Sequence, residues 1–392
     1  MSERRLQAVL LVPREPAVVA GIPAVLRTAH RLAGEEGVAR VLLLGKADGF
    51  SRTWRGILER LPVRNVSEEE LRREIDPDSP VLAVASDGML APDGLRQFLE
   101  EAERRRAPAA LVWRGRAVCV YEPEARRVAD RAAPGLPALL GSALEDPNVL
   151  RVEAPEGAWV SLGGPGEIAA AEERLYAGLS HGRDGYISRL DRRISIALSR
   201  RIARTRITPN QITGASLAVG LAGVALVASA DYAPCLLGTL LVWLSSILDG
   251  CDGEIARLKL LSSEAGRRFD LLGDFLVNWS LIAAIAWHVH RTRPEVSLGP
   301  LALLLATGVA MSSLSAWWFF LRKSRRRPAG LERTLQRLAS RDFVYVVILL
   351  AALRRLDWFL YGAVVGSHLF WIALVAMHAT LRPAAGRDPR PS

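Results

Sequence analysis

Cysteine is scarce in this 392-residue chain. The three present, Cys119, Cys235 and Cys251, have neither paired nor metal-ligand spacing, which excludes a disulfide framework and a cysteine-based zinc site. Long apolar runs are missing from the first half: nearly all stretches free of Asp, Glu, Lys and Arg fall after residue 210. Uncharged length of that kind suits a bilayer rather than water, so the two halves are expected in different solvents. No nucleic-acid motif accompanies the net charge of +10. The excess Arg lies beside apolar segments, where anionic headgroups attract it, so membrane topology rather than a nucleic-acid partner accounts for the charge.

What is there begins with length, because 392 residues is more than one ordinary domain and leaves room for two folding units. Charge-free runs at 212–230, 232–248, 296–321 and 358–381 are each near the ~20 residues of a spanning helix. The segment 270–290 is long enough but carries two carboxylates, and 343–353 is apolar but short. Six spans are therefore expected, the fifth depending on its polar flanks. Arg4 and Arg5 are followed by only seven residues before Pro13, Arg14 and Glu15, so no cleavable signal is expected. Arg257, Lys259, Arg267 and Arg268 gather on one side of the spans, with Arg322, Lys323, Arg325, Arg326, Arg327, Arg333, Arg337 and Arg341. The opposite loops hold only Arg291, Arg293, Arg354 and Arg355. The positive-inside rule then puts the N-terminal domain and the C-terminus in the cytoplasm of a multi-pass inner-membrane protein.

The first half alternates strand-like and helix-like runs: 7–12, 22–35, 39–44, 52–61, 80–85 and 92–106, with a further strand at 111–121 and a closing helix at 166–179. This order predicts an α/β domain with a parallel, Rossmann-like sheet. Ser67 and Glu70 make a capping box for a short helix. Such sheets often bind nucleotides beyond their strand ends, yet the loop after the first strand lacks the glycines that let backbone N–H groups approach phosphate. Gly21, Ile22 and Pro23 resemble the Gly-Lys-Pro-like element of the sugar-phosphate and inositol-phosphate nucleotidyltransferases, with isoleucine in place of the basic residue. Asp87 stands where that family keeps a metal-binding Asp, or serves as a turn residue, and 160–165 lacks the second carboxylate. The domain is read as a degenerate nucleotidyltransferase-like unit. The alternative is a bifunctional enzyme that also makes its CDP-alcohol from CTP.

After the polar linker 181–185, residues 186–206 set Ile187, Leu190, Ile194, Ile196, Leu198 and Ile202 among seven Arg, the pattern of an amphipathic helix in the membrane interface. Thr208, Pro209 and Asn210 mark the turn into the first span.

Chemistry is concentrated in 249–274, which reads DGCDGEIARLKLLSSEAGRRFDLLGD. At about 100° per residue, Asp249, Asp252, Gly253 and Ala256 fall near about 0°, 300°, 40° and 340°, one face with two carboxylates and two tiny side chains. Gly266, Asp270 and Asp274 form a second stripe at spacings of four. Four carboxylates at membrane depth cost about 3 kcal/mol each, roughly 12 together, unless they have a partner. Divalent cations with oxygen ligands suit them, and a phosphate substrate completes the coordination of Mg²⁺.

The series Asp249, Asp252, Gly253, Ala256, Arg257, Gly266, Asp270 and Asp274 matches the signature of the CDP-alcohol phosphotransferase family at every defined position. The resemblance covers about 184–382 and, with the N-terminal domain, extends to the bifunctional inositol-phosphate cytidylyltransferase and di-inositol phosphate phosphate synthase group. It implies metal-dependent transfer of a substituted phosphoryl group from a CDP-alcohol, of CDP-diacylglycerol or CDP-inositol type, to an alcohol or alcohol-phosphate acceptor, releasing CMP. By resemblance Asp249, Asp252, Asp270 and Asp274 are ligands to Mg²⁺ or Mn²⁺, and Asp274 is also the general base. Gly253, Ala256, Arg257 and Gly266 form the CDP surface, and the protein is a homodimer in contact with membrane lipids. Arg189, Arg192, Arg267 and Arg268 are candidate acceptor-phosphate contacts. The expected divisions are 1–181, 184–206, 207–382 and a tail at 383–392.

An ion transporter also uses carboxylates inside spans, but that reading leaves the Gly-x2-Ala-Arg element unexplained, and no inverted repeat is visible. His288 and His290 beside Trp287 read as an interfacial belt. His368 and His378 read as packing or interhelical hydrogen-bonding groups.

Overall fold

The computed structural model describes residues 6–13, 15–35, 37–45, 52–125, 128, 136–179, 188–321 and 343–380. The linker 181–185, the basic segment 322–342, the tail 383–392 and the side chains of Arg189 and His378 lie outside the described residues. The chain divides into two compact units, the first comprising Met1–Leu179, Arg200–Arg206 and Ile255–Leu261, the second Ser180–Ser199, Ile207–Glu254 and Ser262–Ser392.

The first unit is built on β1 (Leu6–Leu11), whose LQAVLL sequence is buried almost throughout. Continuous apolar sequence of this kind marks a central strand covered on both faces. The short β2 (Val18–Val19) and β3 (Ile22–Pro23) pair with each other and lead into α1 (Ala24–Gly34). There follow β4 (Val38–Leu44), α2 (Arg52–Leu58), β5 (Val63–Val66), α3 (Glu68–Glu74), β6 (Val81–Val84), β7 (Gly88–Leu90) and α4 (Pro92–Arg105). Strands β8 (Ala109–Trp113) and β9 (Arg116–Glu122), helix α5 (Leu136–Ser142), β10 (Leu150–Glu153), β11 (Trp159–Ser161) and α6 (Pro165–Ala177) complete it. The main sheet runs β10-β8-β9-β6-β1-β4-β5.

An α/β sheet domain is thus present, but the sheet is mixed rather than wholly parallel. The single strand expected at 111–121 is a hairpin, because Arg114 and Gly115 adopt φ of 48° and 78°, the two left-handed residues of a tight turn. Strand β9 consequently runs antiparallel to both β6 and β8. The capping box forms as expected: the Glu70 amide donates to Ser67 Oγ at 3.2 Å and the Ser67 amide to Glu70 Oε2 at 2.8 Å.

The second unit is helical. It carries most of α7 (Ser188–Ala203), then α8 (Pro209–Val227), α9 (Tyr232–Leu258), α10 (Glu264–Thr292), α11 (Leu298–Leu321), α12 (Phe343–Ala352) and α13 (Leu356–Thr380). Among the described residues five helices, α8 to α11 and α13, are long and apolar enough to cross a membrane. The fifth of the six expected spans is represented among the described residues by α12, a ten-residue apolar helix. Helix α8 starts at Pro209, with the Thr208 amide donating to Gln211 Oε1 at 2.9 Å, so an otherwise orphaned helix-end amide is satisfied. On α7, Leu190 and Ile194 are exposed while Ser195 and Ser199 are buried. The helix therefore turns its small polar residues inward and leaves an apolar stripe outside, as an interfacial helix does.

Helices α8 and α9 cross with almost nothing between them. A Cβ on Gly223 would stand 2.7 Å from the Gly238 oxygen, and one on Gly238 2.5 Å from the Gly223 oxygen. Small residues let backbones approach where lipid supplies no hydrophobic drive between helices. Gly223→Leu is expected to force the pair apart and destabilise the bundle by about 1–3 kcal/mol, the usual range for overpacking. Thermal melting in detergent checks this, with Gly214→Ala, where nothing lies within 4 Å, expected to melt like the wild type.

Candidate active site

Helix α9 carries Asp249 and Asp252 near its end, and α10 carries Asp270 and Asp274 near its start. The connection is short because α9 stops at a left-handed Leu260, φ 56°, with the Leu261 amide bonded to the Ala256 carbonyl at 2.9 Å. This wrap-back satisfies a terminal carbonyl of the helix. Ser263 then caps α10, its Oγ accepting from the Gly266 amide at 3.1 Å.

Carboxylate oxygens of Asp249, Asp252 and Asp270 all lie within 4.8 Å of one another. At an effective dielectric of about 20, each charged pair at that separation repels by roughly 3 kcal/mol. An all-oxygen donor set at this spacing fits a hard divalent cation, which removes the repulsion. Thr213 of α8 donates its hydroxyl to Asp252 and also contacts the Pro209 carbonyl at 3.2 Å. Asp252 is buried while Asp249 and Asp270 are half-buried, so the cluster has one anchored and two more accessible ligands. Asp274, one turn beyond Asp270, falls outside this set of three but lines the same pocket with Asp249, Asp270 and Gly273. Ser216, Ser245, Ser246 and Asn278 line it as well.

Of the remaining residues singled out by the sequence, Gly253 and Ala256 are half-buried on α9 and Arg257 is exposed near its end. Gly266 sits where a Cβ would come within 3.2 Å of Asn210 Oδ1, so close packing at the start of α10 also calls for glycine there. Arg192 Nη1 lies 3.0 Å from Glu254 Oε1, while Arg267 and Arg268 pair with exposed Glu264 at 2.7 and 3.1 Å. In the first unit Asp87 pairs with Arg116, and Arg27 is buried, donating to the Val19 carbonyl at 2.9 Å. Burial pushes the Arg27 guanidinium down to about 10. The three cysteines are free and buried. His368 bonds the Leu304 carbonyl at 3.0 Å and accepts from Trp371 Nε1 at 3.1 Å, an interhelical and packing role. His288 Nδ1 is 2.5 Å from the Ser229 carbonyl.

Sequence reasoning passed over Thr213, Glu254 and Asn278. For Asn278 a signal existed, since it continues the spacing of four through Asp270 and Asp274. Glu254 stood among other charged residues, Asp252 and Arg257, and nothing in its spacing set it apart.

Clustered carboxylates on two adjoining apolar helices define a candidate divalent-cation site in a membrane-type helical unit. Residues 206–379, somewhat less than half of the chain, match the family model described as CDP-alcohol phosphatidyltransferase. The chain is similar to the "Bifunctional IPC transferase and DIPP synthase" of Thermococcus kodakarensis, 32% identical over 197 residues, 49% of this chain and 44% of the relative. The protein of the same name from Archaeoglobus fulgidus is 38% identical over 136 residues, 34% of this chain and 27% of the relative. The match thus spans less than half the length of either relative. Among solved structures, 4-diphosphocytidyl-2C-methyl-D-erythritol synthase from Anaerococcus prevotii aligns with 44% of this chain and 99% of its own, at 14% identity and a TM-score of 0.36, a likeness too slight to bear on the fold.

Thr213→Val keeps the shape at Asp252 but removes its hydroxyl partner. Loss of such a supporting bond typically weakens a metal site by about tenfold or more, and Mn²⁺ titration followed by electron paramagnetic resonance in detergent is expected to register that loss.

Proposed function

We propose that the chain transfers a substituted phosphoryl group from a CDP-alcohol, of CDP-inositol or CDP-diacylglycerol type, to an alcohol or alcohol-phosphate acceptor, with release of CMP. The observation that carries this reading is the trio of carboxylates within 4.8 Å on α9 and α10, inside the stretch that matches the family model. The similarity to proteins named bifunctional IPC transferase and DIPP synthase supports a phosphoryl-transfer reading and leaves both donor types for the test.

Asp249, Asp252 and Asp270 hold Mg²⁺ or Mn²⁺, with Asp274 as a further ligand. The bound cation supplies charge neutralisation at the pyrophosphate and the leaving CMP. Gly253, Ala256, Arg257 and Gly266 receive the cytidine diphosphate, where absent side-chain bulk lets a nucleotide approach the backbone. Asp274 accepts the proton of the acceptor hydroxyl. The acceptor oxygen bonds to the phosphorus carrying the alcohol, the bridging P–O bond to CMP breaks, and the electron pair leaves with CMP.

The five apolar helices support an integral membrane protein, and the distribution of Arg supports an inner-membrane location with both termini cytoplasmic. Division at 1–181, 184–206, 207–382 and 383–392 belongs to the same reading, as do lipid contact and a homodimer. The N-terminal domain is read as catalytically silent. Supporting this, Asp87 is engaged by Arg116, and the Ala20 amide after β1 is taken up by Glu172 Oε1 at 2.8 Å.

The test is CMP release by the purified chain in detergent or lipid with Mg²⁺ or Mn²⁺, across CDP-inositol and CDP-diacylglycerol and a panel of acceptors. Release dependent on metal and acceptor is expected, with Asp270→Asn and Asp274→Asn each slower by about 100-fold or more. No release with any pair, together with cation flux in liposomes, would return the protein to the transporters. A parallel incubation with CTP and alcohol phosphates is expected to yield no pyrophosphate, and its appearance would make the chain bifunctional.

A further inference from the structure

Among the described residues, the most heavily buried acid in the helical unit is outside the metal-type cluster. Glu254 follows Asp252 by two residues, so it leaves α9 about 200° away from Asp252 and faces the opposite side. It is fully buried. Its Oε1 accepts from Ser195 Oγ at 2.6 Å and from Arg192 Nη1 at 3.0 Å, both on α7, while Oε2 has no hydrogen-bond partner. One turn back, Cys251 Sγ approaches the Ser195 carbonyl at 3.5 Å.

Burying a carboxylate with one oxygen unmatched is a poor way to gain stability, because an apolar residue of similar volume is often neutral or better. What a buried ion pair supplies is register. The facing surface of α7 presents Ser195 and Ser199, side chains small enough for α9 to rotate or slide past without a large change in packing. The Glu254 contacts select one position. Asp191, one turn before Ser195, makes a second tie by accepting from Trp243 Nε1 of α9 at 3.1 Å and from the Tyr345 hydroxyl of α12. The Asp252 turn is therefore held from the front by Thr213 and from behind by α7.

We infer that Glu254, through Ser195 and Arg192, is a positioning residue that fixes the rotation of α9 so that Asp249 and Asp252 meet Asp270 at cation-binding distance. The inference rests on the metal-site reading above and extends it to a residue that touches neither cation nor substrate.

The test measures Mn²⁺ affinity by electron paramagnetic resonance on detergent-solubilised full-length chain, beside CMP release. Glu254→Leu keeps the volume and removes the lock. It is expected to stay helical by circular dichroism, to bind Mn²⁺ about tenfold more weakly, and to lose kcat while KM for the donor holds. Glu254→Gln keeps an oxygen for Ser195 and Arg192 and is expected within about threefold of wild type, the cost of a weaker, uncharged acceptor. A filler role would let the leucine variant bind Mn²⁺ like the wild type, and that result overturns the inference. Should Glu254→Leu fail to fold, Ser195→Ala decides: weaker Mn²⁺ binding supports the lock, unchanged binding rejects it. Absence of Mn²⁺ binding by the wild-type chain would instead remove the site itself, and the lock's role with it.

Discussion

Negative charge on transmembrane-type helices is the constraint from which the second unit follows. A carboxylate near the bilayer is tolerated only with a partner, and three whose oxygens lie within 4.8 Å repel one another as well. Helix α8 contributes the Thr213 hydroxyl to Asp252, α7 contributes the bonds that hold α9 from behind, and the short α9–α10 connection puts Asp270 opposite Asp249. The arrangement gathers carboxylate oxygens at one point, which suits a hard divalent cation.

Compensation is also divided between permanent and exchangeable partners. Glu254 faces Arg192 and Ser195, which are part of the chain. The Asp249, Asp252 and Asp270 cluster instead borders a pocket with Asp274 and several hydroxyl groups, where partners can enter and leave. One short stretch of α9 thus carries a fixed electrostatic contact on one side and an accessible one on the other. The close α8–α9 crossing supplies stiffness in the same helix pair.

Features decided by neighbouring residues were the legible ones. The Ser67 capping box, the entry to α8 at Thr208 and Pro209, the long apolar helices and the two carboxylate stripes all depend on spacings of a few residues, which sequence displays directly. The hairpin of β8 and β9 escaped because its turn offers only one glycine, and the apolar run on either side reads as one strand. The span at 343–353 was the least legible because its length depends on polar flanks, and α12 supplies ten apolar residues of it among the described residues. Glu254 escaped for a different reason. Its partner Ser195 is 59 positions away, and no local pattern reveals that two helices will meet there.

The crossing of Gly223 and Gly238 carries an evolutionary consequence. Each position is closed by the backbone of the other, so enlarging one cannot be offset by shrinking its neighbour, which is already glycine. Compensation by paired substitution, the usual way in which packed cores drift, is therefore unavailable at this contact. Change there requires a shift of whole helices, and with them of the turn that carries Asp249 and Asp252. Descendants of this chain that keep its chemistry are bound to inherit the glycine pair long after most of the surrounding apolar residues have been exchanged.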